Sequence, residues 1–125
     1  MNGIYGIGTD IVDISRIKKS IKNKNFFSRV YSSHEIKKKP SKLNLYAYFA
    51  KRFAAKEAFS KALGTGVSEG ISFNEISIFN DQKGKPCIKL IGKTKRITKK
   101  IIKKRKIYLS LSDEKKYAIA IVLIS

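Results

Sequence analysis

The stretch 45–63, LYAYFAKRFAAKEAFSKAL, constrains this chain most. It has no glycine or proline and is rich in alanine, the strongest helix former, so it predicts one long helix. Gly64 stands where a helix stop belongs. Residues four apart stack on one face, which puts Phe49, Phe53, Glu57 and Lys61 on one stripe, flanked by Tyr46 and Ala50. On a wet face a Glu and a Lys at this spacing form an ordinary pair, worth about 0.2–0.5 kcal/mol. On an apolar stripe a charge has to be paired, bound to a metal or held at the lip of a cleft. Spacing alone leaves the structural and the functional reading open.

The rest of the chain reads as short elements around that helix. Residues 5–9 predict a short strand, with Asp10 ending it or lying just past it. Asp13 or Ser15 can cap a helix with Ile14, Ile17 and Ile21 on its apolar side. Its other side carries Arg16, Lys18, Lys19, Lys22 and Lys24. Ser32-x-x-Glu35 has the form of a capping box and predicts a short helix through Lys39, stopped by Pro40. Gly64, Gly66 and Gly70 make the next stretch a turn region. Residues 73–79 and 86–91 predict two strands around a turn with Gly84 at its tip. Thr94, Ile97 and Ile101 recur at helical spacing in 93–104. Residues 107–112 and 117–124 predict a final hairpin, apolar on both faces and hence central and covered. The order predicts an α+β fold with a small, mainly antiparallel sheet packed with helices. With 125 residues, it forms one domain, 1–125. A domain of this size buries a modest share of its surface, so an active site in it can need an oligomer interface for completion.

The formal net charge of +19 points to an anionic partner. Lysine outnumbers arginine 23 to 5 and there are 19 isoleucines. These are the residues of A/T-rich codons, and roughly half of the excess is assigned to that bias, against the usual mix of surface charge. The sign of the charge therefore says more than its size. Two basic segments, 16–24 and 93–106, lack the interleaved aromatics of a nucleic-acid surface, apart from Phe26 and Phe27 just beyond the first. The apolar face of 93–106 is narrow and has no Trp or Phe for a membrane. The longest apolar run, 118–124, is far too short to span a bilayer. No nucleic acid and no membrane are expected as partners. Cys87 is the only cysteine, and MNGIYGIGTD has neither a basic n-region nor a long apolar run. A reduced, cytoplasmic setting fits. One His and one Cys exclude a self-contained zinc site or His-based triad, and His34 reads as a surface residue.

Asp10, at a predicted strand end after Gly8-Thr9, is by itself a turn or cap residue. With Glu57 it offers a pair of carboxylates, the oxygen donors that Mg²⁺ uses together with waters and phosphate oxygens. Lys61 adds a point charge suited to a phosphate. The turn at 64–66 can let backbone amides approach an anion.

Residues 5–17, YGIGTDIVDISRI, and 51–66, KRFAAKEAFSKALGTG, closely resemble the two signatures of the holo-[acyl-carrier-protein] synthase family, the 4′-phosphopantetheinyl transferases of fatty-acid biosynthesis. Residues 79–86, FNDQKGKP, and 109–120, LSLSDEKKYAIA, follow the same order and spacing. The resemblance covers essentially the whole chain. It implies the phosphopantetheinyl transferase fold, with coenzyme A as co-substrate and acyl carrier protein as partner. It also implies a homotrimer with sites at subunit interfaces. Asp10 and Glu57 correspond to the Mg²⁺ ligands, and Lys61 to the lysine near the cofactor phosphates. Ser60, Gly64 and the 64–66 turn correspond to the lining of the diphosphate and adenine end. Arg16 corresponds to a basic position that docks the acidic helix of the carrier, with Lys19 beside it. Glu57 and Lys61 are the implied catalytic residues, and the serine's proton goes to Glu57 or to a metal-bound water. Many members carry histidine in an S-x-S-H motif where this chain has Asp113, so that histidine is no obligatory base here.

Overall fold

A computed structural model describes residues 3–64 and 70–125. Its elements run β1 (Gly6–Asp13), α1 (Ile14–Ser20), α2 (Lys24–Val30), α3 (Ser33–Lys37), α4 (Leu45–Leu63), β2 (Ile76–Asn80), β3 (Pro86–Leu90), α5 (Gly92–Ile102), β4 (Ile107–Asp113) and β5 (Tyr117–Ile124). Turns of 3-10 helix at Lys42–Asn44 and Phe73–Glu75 lead into α4 and β2. The strands form a three-stranded sheet in the order β1-β5-β4 and a separate β2–β3 hairpin, all pairs antiparallel. The expected α+β class and the antiparallel pairing both hold.

α4 is the centre of the molecule and lies across β1 and β5. Ala118, Ala120, Val122 and Ile124 alternate inward along β5 and meet Phe49, Ala54, Ala58 and Phe59 in the core. β1 comes closer to the helix than any side chain would permit. A Cβ on Gly6 would sit 1.9 Å from the Ala62 carbonyl oxygen, and one on Gly8 would sit 1.9 Å from that of Ala58. The glycines of GIG and the alanines of the helix therefore form one contact, backbone against backbone. Gly64 ends α4 in the left-handed region at φ 88°, its N–H donating to the Ser60 carbonyl at 3.1 Å.

The opposite side of α4 is held by a buried ion pair. Lys56 and Glu35 have no exposed side-chain surface, and Lys56 Nζ lies 2.9 Å from Glu35 Oε1. The ammonium also donates to the carbonyls of Phe73 and Ile76. Glu35 Oε1 accepts from Ser32 N at 2.9 Å, and Oε2 accepts from Ile78 N at 2.8 Å. Ser32 Oγ accepts in turn from Glu35 N, which completes the capping box expected from the sequence. One carboxylate thus joins α3, α4 and β2. Burial pushes Lys56 below the usual lysine range, with Glu35 pulling it back. A charge so buried is tolerable only because every donor and acceptor is used.

Several expectations are corrected. β1 does not end near Asp10; it pairs with β5 as far as Asp13, and Asp10 faces Ala120 in mid-strand. Of the two caps the sequence left open for α1, Asp13 is the one used, accepting from Ser15 N at 2.8 Å. The basic run after α1 is no continuation of that helix, because Asn23 caps a separate α2. Residues 73–75 form a turn rather than strand, since the carbonyls of Phe73 and Ile76 are drawn onto Lys56. α3 ends at Lys37, two residues short of the expected stop. The final hairpin is only half covered. β5 is central, but β4 is an edge, and the face away from α4 leaves Ile7 65%, Ile11 60%, Ile119 40% and Ile121 46% exposed.

The buried pair predicts a steep cost for removing one partner. Lys56→Ala lowers the unfolding free energy by about 3–5 kcal/mol, measured by urea denaturation. The double change Lys56→Met with Glu35→Leu recovers little, because the N–H groups of Ser32 and Ile78 and the carbonyls of Phe73 and Ile76 lose their buried partners. A loss under about 1 kcal/mol for the single change would show that the pair does not hold α4.

Candidate active site

The pleat of β1 sends Gly6, Gly8, Asp10 and Val12 toward α4. Because the two glycines bring the strand onto the helix backbone, Asp10 lands beside the last turns of α4. Lys61 Nζ lies 3.3 Å from Asp10 Oδ1 and donates to the Thr9 carbonyl at 3.0 Å. Glu57, one turn earlier, is half-buried. Its carboxyl is pushed above the usual range by burial first and by the charge of Asp10 second, while Lys61 and Arg16 pull it down. Arg16 reaches over from α1, its guanidinium 5.9 Å from the Phe53 ring centre. Asp10, Glu57, Lys61 and Arg16 thus converge from three elements.

The helix singles these residues out by burial rather than by a stripe. From Phe49 to Leu63 every residue of α4 is buried except Lys51, Glu57 and Lys61. Two carboxylates meet here, and among the described residues no group of three or more His, Cys, Asp or Glu gathers. Such a site offers a hard cation two oxygen ligands and leaves the other positions to water and a ligand, which suits Mg²⁺. Ser60 lies on the same helix but is buried. Gly64 is exposed at the helix end, and Thr65 and Gly66 of the expected 64–66 turn lie outside the described residues. Lys19 sits one turn beyond Arg16 on α1, exposed.

A second feature lies at the other end of α4. A cleft of about 740 Å³ opens between α3, the start of α4, β2 and the end of β4, lined by His34, Lys38, Lys51, Arg52, Asn80 and Asp113 among others. Arg52 is 6% exposed. It stacks on the Tyr48 ring at 3.6 Å and reaches Tyr48 O and Asn80 Oδ1 only at 3.4 and 3.5 Å. Its Nε has no partner. A buried guanidinium with a spare donor draws an anion. Asp113 is held by Lys51 across the rim, at 3.2 Å. Sequence reasoning passed over Arg52, Lys51 and Lys56. The available signal was their setting, since cations at 52 and 56 stand in the run 49–59, which is otherwise apolar apart from Lys51 and Glu57.

Residues 6–122 match the model of the 4′-phosphopantetheinyl transferase superfamily. The chain is 50% identical over 123 residues to a holo-[acyl-carrier-protein] synthase of Pelagibacter ubique, covering 97% of this chain and 96% of that protein. Its fold resembles the holo-[acyl-carrier-protein] synthase of Neisseria meningitidis with a TM-score of 0.86 at 39% identity, covering 98% and 99% of the two chains. It also resembles the Helicobacter pylori enzyme in complex with coenzyme A, with a TM-score of 0.79 at 34% identity and coverage of 95% and 99%.

The raised pKa of Glu57 has a consequence for stability. Folding favours its protonated form, so its stabilising share is present at low pH and lost as pH rises through the folded-state value. A glutamine at this position stays neutral. Glu57→Gln therefore raises the melting temperature of the metal-free protein at pH 7, and the gain shrinks toward pH 4. Thermal unfolding in chelator at both pH values checks this; equal stability at pH 7 would remove the electrostatic strain assigned to the site.

Proposed function

The chain belongs to the 4′-phosphopantetheinyl transferase superfamily, and from that membership we propose that it moves 4′-phosphopantetheine from coenzyme A to a serine of apo acyl carrier protein. The products are holo acyl carrier protein and adenosine 3′,5′-bisphosphate. The convergence of Asp10, Glu57 and Lys61 at one end of α4 carries this reading. The setting is fatty-acid biosynthesis in the cytoplasm, by a single domain spanning 1–125. Among the described residues no helix is long and apolar enough to cross a membrane.

In the reaction, the serine oxygen forms a bond to the phosphorus of the pantetheine arm. The bond from that phosphorus to the bridging oxygen breaks, and the bisphosphate leaves with the electron pair. The serine's proton passes to Glu57 or to a water. Asp10 and Glu57 would hold the Mg²⁺, which when bound supplies positive charge to the diphosphate. Lys61, already aimed at Asp10 and Thr9, places its ammonium where charge develops on the leaving group. The family resemblance gives Ser60 and Gly64 to the lining of the same cofactor end. Most of the rate gain is then positioning and electrostatics, as is usual in phosphoryl transfer.

Two further observations fit. The cleft around Arg52 offers a second place for a phosphate of coenzyme A. It begins nine residues before Lys61 on the helix, about 13 Å along the axis and half a turn around it. One chain therefore presents the two places on different faces of α4, and a homotrimer brings one subunit's cleft to its neighbour's carboxylates. The exposed apolar face of Ile7, Ile11, Ile119 and Ile121 supplies a surface for such an assembly. Arg16 and Lys19 on α1 form the basic edge that receives the acidic carrier.

The mass of apo acyl carrier protein after incubation with coenzyme A and Mg²⁺ tests the reading. A gain of about 340 Da is expected with the unaltered protein and none with Asp10→Ala or Glu57→Ala. Mg²⁺ should raise the melting temperature of the unaltered protein but of neither variant. No mass gain with a folded protein and an authentic carrier would end the proposal.

Docking is tested by reversing Arg16 and Lys19 to glutamate. The KM for the carrier rises by about tenfold, as for the loss of about 1.4 kcal/mol, and added salt narrows the gap between variant and parent. An unchanged KM would move docking to another face.

A further inference from the structure

β2 and β3 pair in the register Ser77↔Lys89 and Phe79↔Cys87. Side chains alternate across a hairpin, so Ile76, Ile78, Ile88 and Leu90 turn to the core while Ser77, Phe79 and Lys89 turn the other way. Ile91, just past β3, joins them, and the start of α3 packs beside this second face. Between them lies a pocket of about 450 Å³, lined by Ser32, His34, Ser77, Phe79, Lys89 and Ile91. Its floor is polar and buried. Ser32 and Ser77 are 4% and 5% exposed, and their hydroxyl oxygens lie 2.7 Å apart. Ser32 Oγ also accepts from Glu35 N. Two hydroxyls carry two hydrogens, and the bond between them uses one. Among the described residues the other hydrogen has no acceptor. Whichever serine holds it, a buried O–H donor is left over at the bottom of the pocket.

Lys89 stands directly opposite Ser77 in the ladder, which sets their Cβ atoms about 4.5–5.5 Å apart on one face. It is exposed and forms no ion pair among the described residues. The remaining walls are apolar: Phe79, whose ring His34 meets edge-on at 6.5 Å, and Ile91, 39% exposed. Glu35 lies behind Ser32, but its carboxylate is engaged by Lys56, Ser32 N and Ile78 N, so its charge is answered. A leftover buried hydroxyl, one ammonium and apolar walls match an anion with a small head and a hydrocarbon body. We propose that this pocket binds an apolar monocarboxylate, whose head accepts from the serine hydroxyl and from Lys89 and whose chain lies along Phe79 and Ile91. A phosphate monoester would bring two charges to a single ammonium, and a neutral alcohol would leave that ammonium unanswered. The pocket shares His34 and Phe79 with the cleft around Arg52 but lies on the other side of them. Its ligand does not depend on the transferase reading.

Titration of the full-length protein with octanoate, followed by calorimetry and by amide NMR shifts, tests the site. Octanoate binds and moves the amides of 32–34, 77–79 and 89–91. Octanol, with the chain but no charge, binds about tenfold more weakly, as for the loss of one charge-assisted bond. Acetate, with the head but no chain, binds about a hundredfold more weakly. Lys89→Met brings octanoate down to the level of octanol and leaves octanol unchanged. Ile91→Ser weakens both alike. Both positions reach the surface, and thermal unfolding checks that each variant stays folded. Lys115→Met, which removes an exposed lysine elsewhere, changes nothing, so the overall positive charge is not what binds. Saturating adenosine 3′,5′-bisphosphate leaves octanoate in place. Displacement by the bisphosphate would put the acid in the cleft around Arg52 and overturn the proposal. Equal affinity for octanoate and octanol, or a Lys89→Met protein that binds octanoate as the parent does, would overturn it as well. No binding by the parent would end it.

Discussion

The backbone contact between β1 and α4 is the constraint from which the rest follows. Gly6 and Gly8 lie against the carbonyls of Ala62 and Ala58 at a distance that excludes any Cβ. Small residues on both elements draw strand and helix together, and the pleat then carries Asp10, two residues on, to the turn that holds Glu57 and Lys61. A strand held one side-chain layer further away would leave Asp10 out of reach of the lysine that now pairs with it. The glycines are thus positioning residues, though they touch nothing reactive.

The other side of α4 is held by chemistry that costs more to bury. Glu35 and Lys56 are without exposed surface, and their stability depends on complete pairing with Ser32, Ile78, Phe73 and Ile76. The helix is fixed from two sides, by close apolar packing and by a saturated ionic peg. Its register relative to β1 is consequently well determined at the three positions after Tyr48 that escape burial, Lys51, Glu57 and Lys61. Lys51 lines the cleft, and Glu57 and Lys61 stand at the candidate active site.

Charge in the protein is less uniform than its total suggests. At one end of α4, burial first and the charge of Asp10 second raise the Glu57 carboxyl above its usual range. At the other end an under-bonded Arg52 and the tethered Lys51 leave unused positive charge. The outer face of the three-stranded sheet, in contrast, exposes Ile7, Ile11, Ile119 and Ile121. An assembly that covered this face would remove apolar surface from water.

Local rules sufficed for much of this. The bounds of α4, its left-handed stop at Gly64, the capping box at Ser32 and Glu35, and the bounds of β5 depend on propensity, on a glycine, on a capping motif and on an apolar run, all of which are written along the chain. Glu57 and Lys61 were marked as a candidate pair by spacing, and the two signatures joined Asp10 to them. Tertiary structure decided the rest. Where β1 ends depends on a partner strand more than a hundred residues away, and the turn at 73–75 depends on an ammonium from α4. That Glu35 is a capping residue and also the counter-ion of Lys56 cannot be read from the capping motif, because burial and pairing are properties of space and not of order. For the same reason Lys51 and Asp113, sixty-two positions apart, carried no mark as a pair until the end of β4 was laid against α4.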